Sequence, residues 1–286
     1  MTFPKDGKRE VRATLEQHGL SPNKKLGQNF LVDPALLDAI PGDAGVQAGD
    51  RVLEVGPGLG GLTRRLLGAG ARVLAVEIDH GFVRLLRESL ASELNSGALG
   101  LVEGDVLASG ESLHPEVEDW WKAGPPPRLV ANLPYSVSGP FLGRLPGRSL
   151  AGAVLLLQRE VARKAAAGVG EEGYGPLSIR LALRFSVSLG RKVPADVFWP
   201  RPKVESGFLH LNPLGDEKDV EEGILREVLR DAFGQRRKRL LPRLEKSFPE
   251  AARRMRELGI PDDARPETVA PSVWWEAAKA VRIPSS

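Results

Sequence analysis

An apolar run, Leu129-Val130-Ala131, ends on Asn132-Leu133-Pro134-Tyr135, which sets an amide, a proline and an aromatic ring side by side where a buried strand stops. Asn and Tyr both need hydrogen-bonding company when apolar neighbours carry them inward. A second cluster lies upstream, where Arg51-Val52-Leu53-Glu54-Val55 runs straight into Gly56-Pro57-Gly58-Leu59-Gly60-Gly61 and then into Leu62-Thr63-Arg64-Arg65-Leu66-Leu67-Gly68. Glycines at a strand-to-helix turn let the backbone approach a ligand and leave the helix amides free to meet it. Gly56, Gly58 and Gly61 fit G-x-G-x-x-G, and Glu77 follows at the spacing of a ribose-binding acid, so a nicotinamide dinucleotide is one candidate ligand. Three features favour S-adenosylmethionine. Glu54 stands on the strand just before the turn, placed to orient the loop or a methionine ammonium, where it would repel a pyrophosphate. Asp105, in Glu103-Gly104-Asp105, ends a third strand and can accept from an exocyclic adenine amine. Asn132 to Tyr135 end a fourth, at the ligand-binding edge of an open α/β sheet.

The elements that must position these residues alternate. Short aliphatic runs at Arg51–Gly56, Ala71–Asp79, Ala98–Val106, Pro127–Tyr135 and Ala151–Glu160 are separated by helical stretches, which predicts a mainly parallel sheet covered on both faces. A further helix and strand follow in 172–193, and Ser206–Leu214 alternates like a closing edge strand. Upstream, residues 1–22 read as a helical arm, then comes basic Lys24-Lys25, and Asp33-Pro34 caps a helix over Ala35–Ile40. Beyond Pro213 the strands stop and helices take over, so we expect a boundary there, with residues 1–213 binding the ligand and 214–286 forming a small helical domain. Residues 109–128, with Trp120, Trp121 and Pro125-Pro126-Pro127, read as a loop-like insertion of unassigned role.

With 286 residues, 42% of them hydrophobic and 27% charged, the chain can build one large core and one smaller one. The absence of cysteine removes disulfides and thiolate chemistry, and four scattered histidines, His18, His80, His114 and His210, argue against a metal site. No apolar stretch approaches the roughly 18 residues of a membrane span, and the N-terminus has charge without an apolar signal core, so a cytoplasmic protein is expected. Net charge is only +3, but nine basic residues face two acids between Gly234 and Arg256, a local +7. Arg236, Arg237, Lys238 and Arg239 open that segment. Laid along a groove-facing helix they would meet nucleic-acid phosphates, whereas pairing with Glu227 and Asp231 would make them ordinary surface.

Taken together, KKLGQNFLVD (24–33), EVGPGLGGLT (54–63), AVEID (75–79), GD (104–105), NLPY (132–135), QREVA (158–162), YGPLS (174–178), FWPRPKVES (198–206) and AFGQRRKRL (232–240) make the chain resemble the rRNA adenine N6,N6-dimethyltransferases, specifically their bacterial small-subunit branch. The resemblance implies a Rossmann-like α/β methyltransferase domain with a helical C-terminal domain, a monomer that uses S-adenosylmethionine to dimethylate two adjacent adenosines in the 3′-terminal hairpin loop of 16S rRNA during ribosome assembly. It also implies roles. Asn29, Leu31, Gly56, Gly58, Ile78 and Val106 line the cofactor beside Glu54, Glu77 holds the ribose hydroxyls, and Asp105 reads the adenine amine. Asn132 faces both cofactor and target. Its side-chain oxygen, with the carbonyl of Leu133 or Pro134, accepts the two N6 hydrogens, while Tyr135 stacks on the target adenine. Phe198 closes over the flipped base, and Lys24, Lys25, Arg201, Lys203 and Arg236–Arg239 grip rRNA.

Two departures and two rivals stand beside this reading. The family more often follows NLPY with Asn-Ile-Ser, whereas this chain has Ser136-Val137-Ser138, and the 109–128 segment has no clear counterpart. A large-subunit rRNA methyltransferase of the antibiotic-resistance kind shares QNF and the glycine turn, although YGPLS and AFGQRRKRL fit the small-subunit branch better. An RNA-binding assembly factor without catalysis would not need Glu77, Asp105, Asn132 and Tyr135 intact.

Overall fold

The computed structural model describes residues 7–23, 26–215, 222–236 and 238–281. Among these described residues nine strands form: β1 (Phe30–Leu31), β2 (Arg51–Val55), β3 (Arg72–Glu77), β4 (Leu99–Glu103), β5 (Arg128–Asn132), β6 (Gly152–Gln158), β7 (Phe185–Val193), β8 (Phe198–Trp199) and β9 (Ser206–Pro213). The helices are α1 (Lys8–Gln17), α2 (Pro34–Asp43), α3 (Gly61–Gly68), α4 (His80–Ser89), α5 (Ala91–Asn95), α6 (Pro115–Lys122), α7 (Ser138–Leu142), α8 (Arg159–Ala166), α9 (Pro176–Ala182), α10 (Glu222–Phe233), α11 (Leu241–Ser247), α12 (Pro249–Glu257) and α13 (Pro271–Ala280).

Strands β2, β3, β5 and β6 read as near-continuous apolar runs, and such runs belong in a sheet buried on both faces. They lie in a seven-stranded sheet of order β4-β3-β2-β5-β6-β9-β7. Neighbours from β4 through β6 are parallel, and β9 runs antiparallel to β6. The chain winds outward from β2 to β4 and returns on the other side of β2 as β5. That reversal opens a crevice beyond the carboxyl ends of β2 and β5, where the glycine turn and NLPY stand.

Two expectations are corrected. The alternating 206–214 segment is not an edge: β9 lies between β6 and β7. Ser206, Gly207, Phe208 and Leu209 are all buried, as an internal strand requires, while β7 takes the edge with Arg191 and Lys192 exposed. Nor is 109–128 a loop. Parallel strands β4 and β5 need a crossover, and α6 supplies it, burying Trp121 and donating its indole N–H to the Ser149 carbonyl at 2.9 Å. Trp120 lies under the Arg51 guanidinium, 4.0 Å from the ring centre.

The chain divides into two compact units. One comprises Met1–Arg144, Arg148–Ala162 and Ser188–Asn212, the other Leu145–Gly147, Arg163–Val187 and Pro213–Ser286. The division therefore includes a crossing at Pro213 and also assigns α9 to the second unit. The reason is visible in packing: Tyr174, Ile179 and Leu183 belong to the same buried cluster as Leu225, Leu229, Trp274 and Trp275. The Tyr174 hydroxyl donates to the Val269 carbonyl at 2.7 Å.

Candidate active site

A cavity of about 270 Å³ opens within the first unit at the switch point of the sheet. From β2 and the turn after it come Glu54, Gly56 and Gly58; from the ends of β3 and β4 come Glu77, Ile78, Asp105 and Val106. Asn132 to Tyr135 form the wall after β5, and Asn29 and Leu31 close the cavity from the N-terminal side.

The glycine turn has no room for side chains. Gly56 has φ +72°, and a Cβ there would lie 2.8 Å from Cγ of Pro134, so the turn and NLPY fit only because residue 56 is glycine. Glu77 fastens the same turn. One carboxylate oxygen accepts from the Gly58 N–H and the other from the Asp79 N–H, each at 3.0 Å. Burial raises the Glu77 carboxyl above its ordinary value, against the pull of those amides. Asp79 in turn caps α4 through the Gly81 N–H and accepts from the Gln28 amide at 3.1 Å, which ties the arm before β1 to the end of β3.

Glu54 is 1% exposed, and its Oε2 has no hydrogen-bond partner among the described residues. Burial pushes its carboxyl up to about 8; the Thr63 hydroxyl lowers it, neighbouring Glu77 adds to the rise, and Arg64 opposes it. Such an atom on a cavity wall suits a cationic ligand group. Ile78 is 47% exposed despite its apolar side chain, offering a flat contact beside Glu77. One oxygen of Asp105 holds the Leu107 N–H at 2.9 Å in a local turn.

At the end of β5, the Asn132 amide nitrogen donates to the Asn29 carbonyl at 3.3 Å, which directs its use to that side and leaves the amide oxygen as the acceptor group of the side chain. The two carbonyls that follow differ. Pro134 already accepts from the Val137 N–H at 3.1 Å and the Ser138 hydroxyl at 2.9 Å, whereas no described residue donates to Leu133. Tyr135 finds its polar partner in Ser206, whose hydroxyl lies 2.8 Å from the phenol oxygen. Ser136 donates to the Leu26 carbonyl at 3.2 Å, so the departure from Asn at this position keeps a link to the N-terminal arm.

Phe198 is not on this wall. Its antiparallel partner is Leu31, and its ring, 2% exposed, belongs to the buried cluster containing Leu31, Val193 and Phe208. The basic run also departs from expectation: α10 ends at Phe233, and Arg236, Lys238 and Arg239 lie in the turn before α11, not on a helix. Arg236 meets Glu267 at 3.6 Å, while Asp231 is taken by Arg243 at 2.9 Å. Farther along, Arg254 pairs with Glu276 and Arg256 with Glu245 and Asp262, so much of the +7 is neutralised within the second unit. Lys238 and Arg239 are exposed with no ion pair among the described residues, as are Arg201 and Lys203 in the first unit. Lys24, Lys25 and Arg237 lie outside the described residues. Among the described residues, no group of His, Asp and Glu gathers for a metal ion, and no helix is long and apolar enough to cross a membrane.

Sequence reasoning missed Gly27, Phe30 and Ser136 as wall residues and gave Ser206 no role. The first three flank residues already singled out; Ser206 carried no signal beyond its place in FWPRPKVES.

The family profile described as ribosomal RNA adenine dimethylase matches residues 19–281. The chain belongs to that family. Within the dimethylase family it is 40% identical over 263 residues to ribosomal RNA small subunit methyltransferase A of Magnetococcus marinus, covering 91% of each chain. It is 39% identical over 280 residues to the protein of that name from Sphingopyxis alaskensis, covering 95% of this chain and 98% of the relative. In fold it resembles a dimethyladenosine transferase from Plasmodium falciparum, with TM-score 0.67, 24% identity and coverage of 86% and 94%. It also resembles the 23S rRNA methyltransferase ErmE, with TM-score 0.63, 24% identity and coverage of 88% and 99%. The dimethylase fold is thus the mixed α/β sheet with a helical C-terminal part described above.

Proposed function

We propose that this protein uses S-adenosylmethionine to dimethylate N6 of two adjacent adenosines in the 3′-terminal hairpin loop of small-subunit 16S rRNA, acting as a monomer in the cytoplasm during ribosome assembly. The observation that carries the reading is the pair of acceptors at the end of β5: the Asn132 side-chain oxygen and the Leu133 carbonyl, beside a Pro134 carbonyl already satisfied twice. The relatives' names support the small subunit as target.

The cavity residues fit S-adenosylmethionine. The unpartnered Glu54 oxygen suits the methionine ammonium, Glu77 the ribose hydroxyls, Ile78 and Val106 the adenine faces, and Asp105 the adenine amine. When bound, S-adenosylmethionine supplies an electrophilic methyl group. The protein's own task is to make a poor nucleophile usable. The N6 lone pair of adenine is delocalised into the ring, and two acceptors that hold the N6 hydrogens out of the ring plane favour the tetrahedral nitrogen of the transition state. Tyr135 offers a face for the base to stack on. No strong base is needed, because the methylated nitrogen becomes acidic and releases its proton to water. Lys238, Arg239, Arg201 and Lys203 are suited to rRNA phosphates.

The test is to incubate the protein with labelled S-adenosylmethionine and, separately, undermethylated small and large ribosomal subunits, then map the modified base. Label on two neighbouring adenosines of 16S rRNA is expected. Label confined to large subunits, or binding of NADH with none of S-adenosylmethionine by calorimetry, overturns the assignment.

A further inference from the structure

We propose that Ser206 is a positioning residue for methyl transfer, fixing the direction of the Tyr135 ring. The inference rests on the reading that Tyr135 stacks on the target adenine.

Ser206 opens β9 and stands opposite Gln158 in the register with β6, so the sheet sets its backbone. Its side chain is wholly buried, and a buried hydroxyl needs a partner. That partner is the Tyr135 phenol, at 2.8 Å. The contact is made at the far end of the ring from the main chain. The near end is held by the turn after β5, where Pro134 accepts from Val137 and Ser138. Gripped at both ends, the ring keeps its axis beside the cavity it lines. Loss of the outer grip leaves it able to swing about χ1, and a stacking surface that swings no longer holds N6 against Asn132. The segment carrying Ser206 also carries Phe198, the partner of cavity residue Leu31. One stretch of chain therefore supports both the cofactor side and the target side of the site.

The experiment compares wild type, Ser206→Ala, Ser206→Thr, Tyr135→Phe and the Ser206→Ala/Tyr135→Phe double variant on undermethylated small subunits. A hydrogen bond of ordinary strength corresponds to a roughly three- to tenfold loss of kcat in Ser206→Ala. KM for S-adenosylmethionine should stay within about twofold, because the contact does not face the cofactor. Ser206→Thr, which keeps the hydroxyl, should recover most of the loss. In the Tyr135→Phe background, Ser206→Ala should add nothing, since the bond is already gone. An activity-free readout is the titration of Tyr135 by carbon-13 NMR of tyrosine Cζ, assigned by the resonance that disappears in Tyr135→Phe. Burial raises this phenol and the Ser206 hydroxyl lowers it, so Ser206→Ala should move its titration to higher pH. Additive losses in the double variant, or an unchanged kcat in Ser206→Ala, overturn the proposal while leaving the proposed function standing. An inactive wild type overturns the function on which it rests, whereas the titration still reads the contact.

Discussion

Asn132 commits its amide nitrogen to Asn29 and presents its oxygen as an acceptor, so the residue's value lies in one atom. Asn132→Ala should therefore leave S-adenosylmethionine affinity nearly unchanged and reduce the single-turnover rate by about 10²–10³-fold, as removal of a comparable transition-state contact does. A variant retaining more than about a tenth of the rate would show that Leu133 alone suffices. Glu54 makes a different prediction, in ligand-free protein. Its folded pKa, raised by burial to about 8 from an ordinary 4.5, means the folded state holds the proton more tightly than the unfolded state. The stability it contributes is complete below the lower value and is lost progressively up to the higher one, on the order of a few kcal/mol. Between pH 5 and 8 the melting temperature of wild type should thus fall more steeply than that of Glu54→Gln. Parallel curves would mean that Glu54 stays ionised throughout.

Elements were more legible than their neighbours in space. The strands carrying Glu77 and Asn132 declare themselves by apolar runs that stop on a polar residue, that carrying Glu54 by a run that meets the glycine turn, and Asp33-Pro34 announces α2, with the Asp33 carboxylate accepting from the Leu36 N–H at 3.1 Å. Strand order is a long-range property, and alternation along 206–214 says only that one face differs from the other, so the place of β9 inside the edge strand β7 was not readable there. The turn that holds Arg236, Lys238 and Arg239 was not readable either, because a basic run signals charge, not conformation. Phe198 marks the same limit: its type suits stacking or packing equally, and only the β1–β8 pairing sends it inward. Phe198→Ala should cost about 3–5 kcal/mol in urea unfolding, the usual range for a deleted core phenylalanine. A loss under about 1 kcal/mol, with kcat reduced, would instead return the ring to the target base.

For the whole molecule, the question is which cations remain for RNA once internal pairs are discounted. Lys238 and Arg239 are the described members of the Arg236–Arg239 run without such a pair. Lys238→Gln/Arg239→Gln should weaken subunit binding and flatten the slope of log K against log salt by roughly 0.7–0.9 for each phosphate no longer neutralised. S-adenosylmethionine affinity should hold, because the cavity is built within the first unit. An unchanged slope would remove this turn from RNA binding. Arg256→Gln, by contrast, breaks pairs with Glu245 and Asp262 at the surface, and its effect should fall on the thermal melt as a small drop, with the salt slope unchanged.

The two-residue pairing of β1 with β8 also places the site in time. Phe30 and Leu31 leave the ribosome ahead of every strand of the large sheet, yet their partners, Trp199 and Phe198, come only after six strands of that sheet have been made. Contacts between such distant segments carry the largest loop-closure cost and form late. The glycine turn and NLPY can come together on β2 and β5 well before the wall at Leu31 is pinned. Synthesis thus supplies the parallel strands β2 to β6 first and the finished cavity afterwards, so a nascent chain stopped before residue 198 would hold the acceptors for a base without the closed pocket beside them.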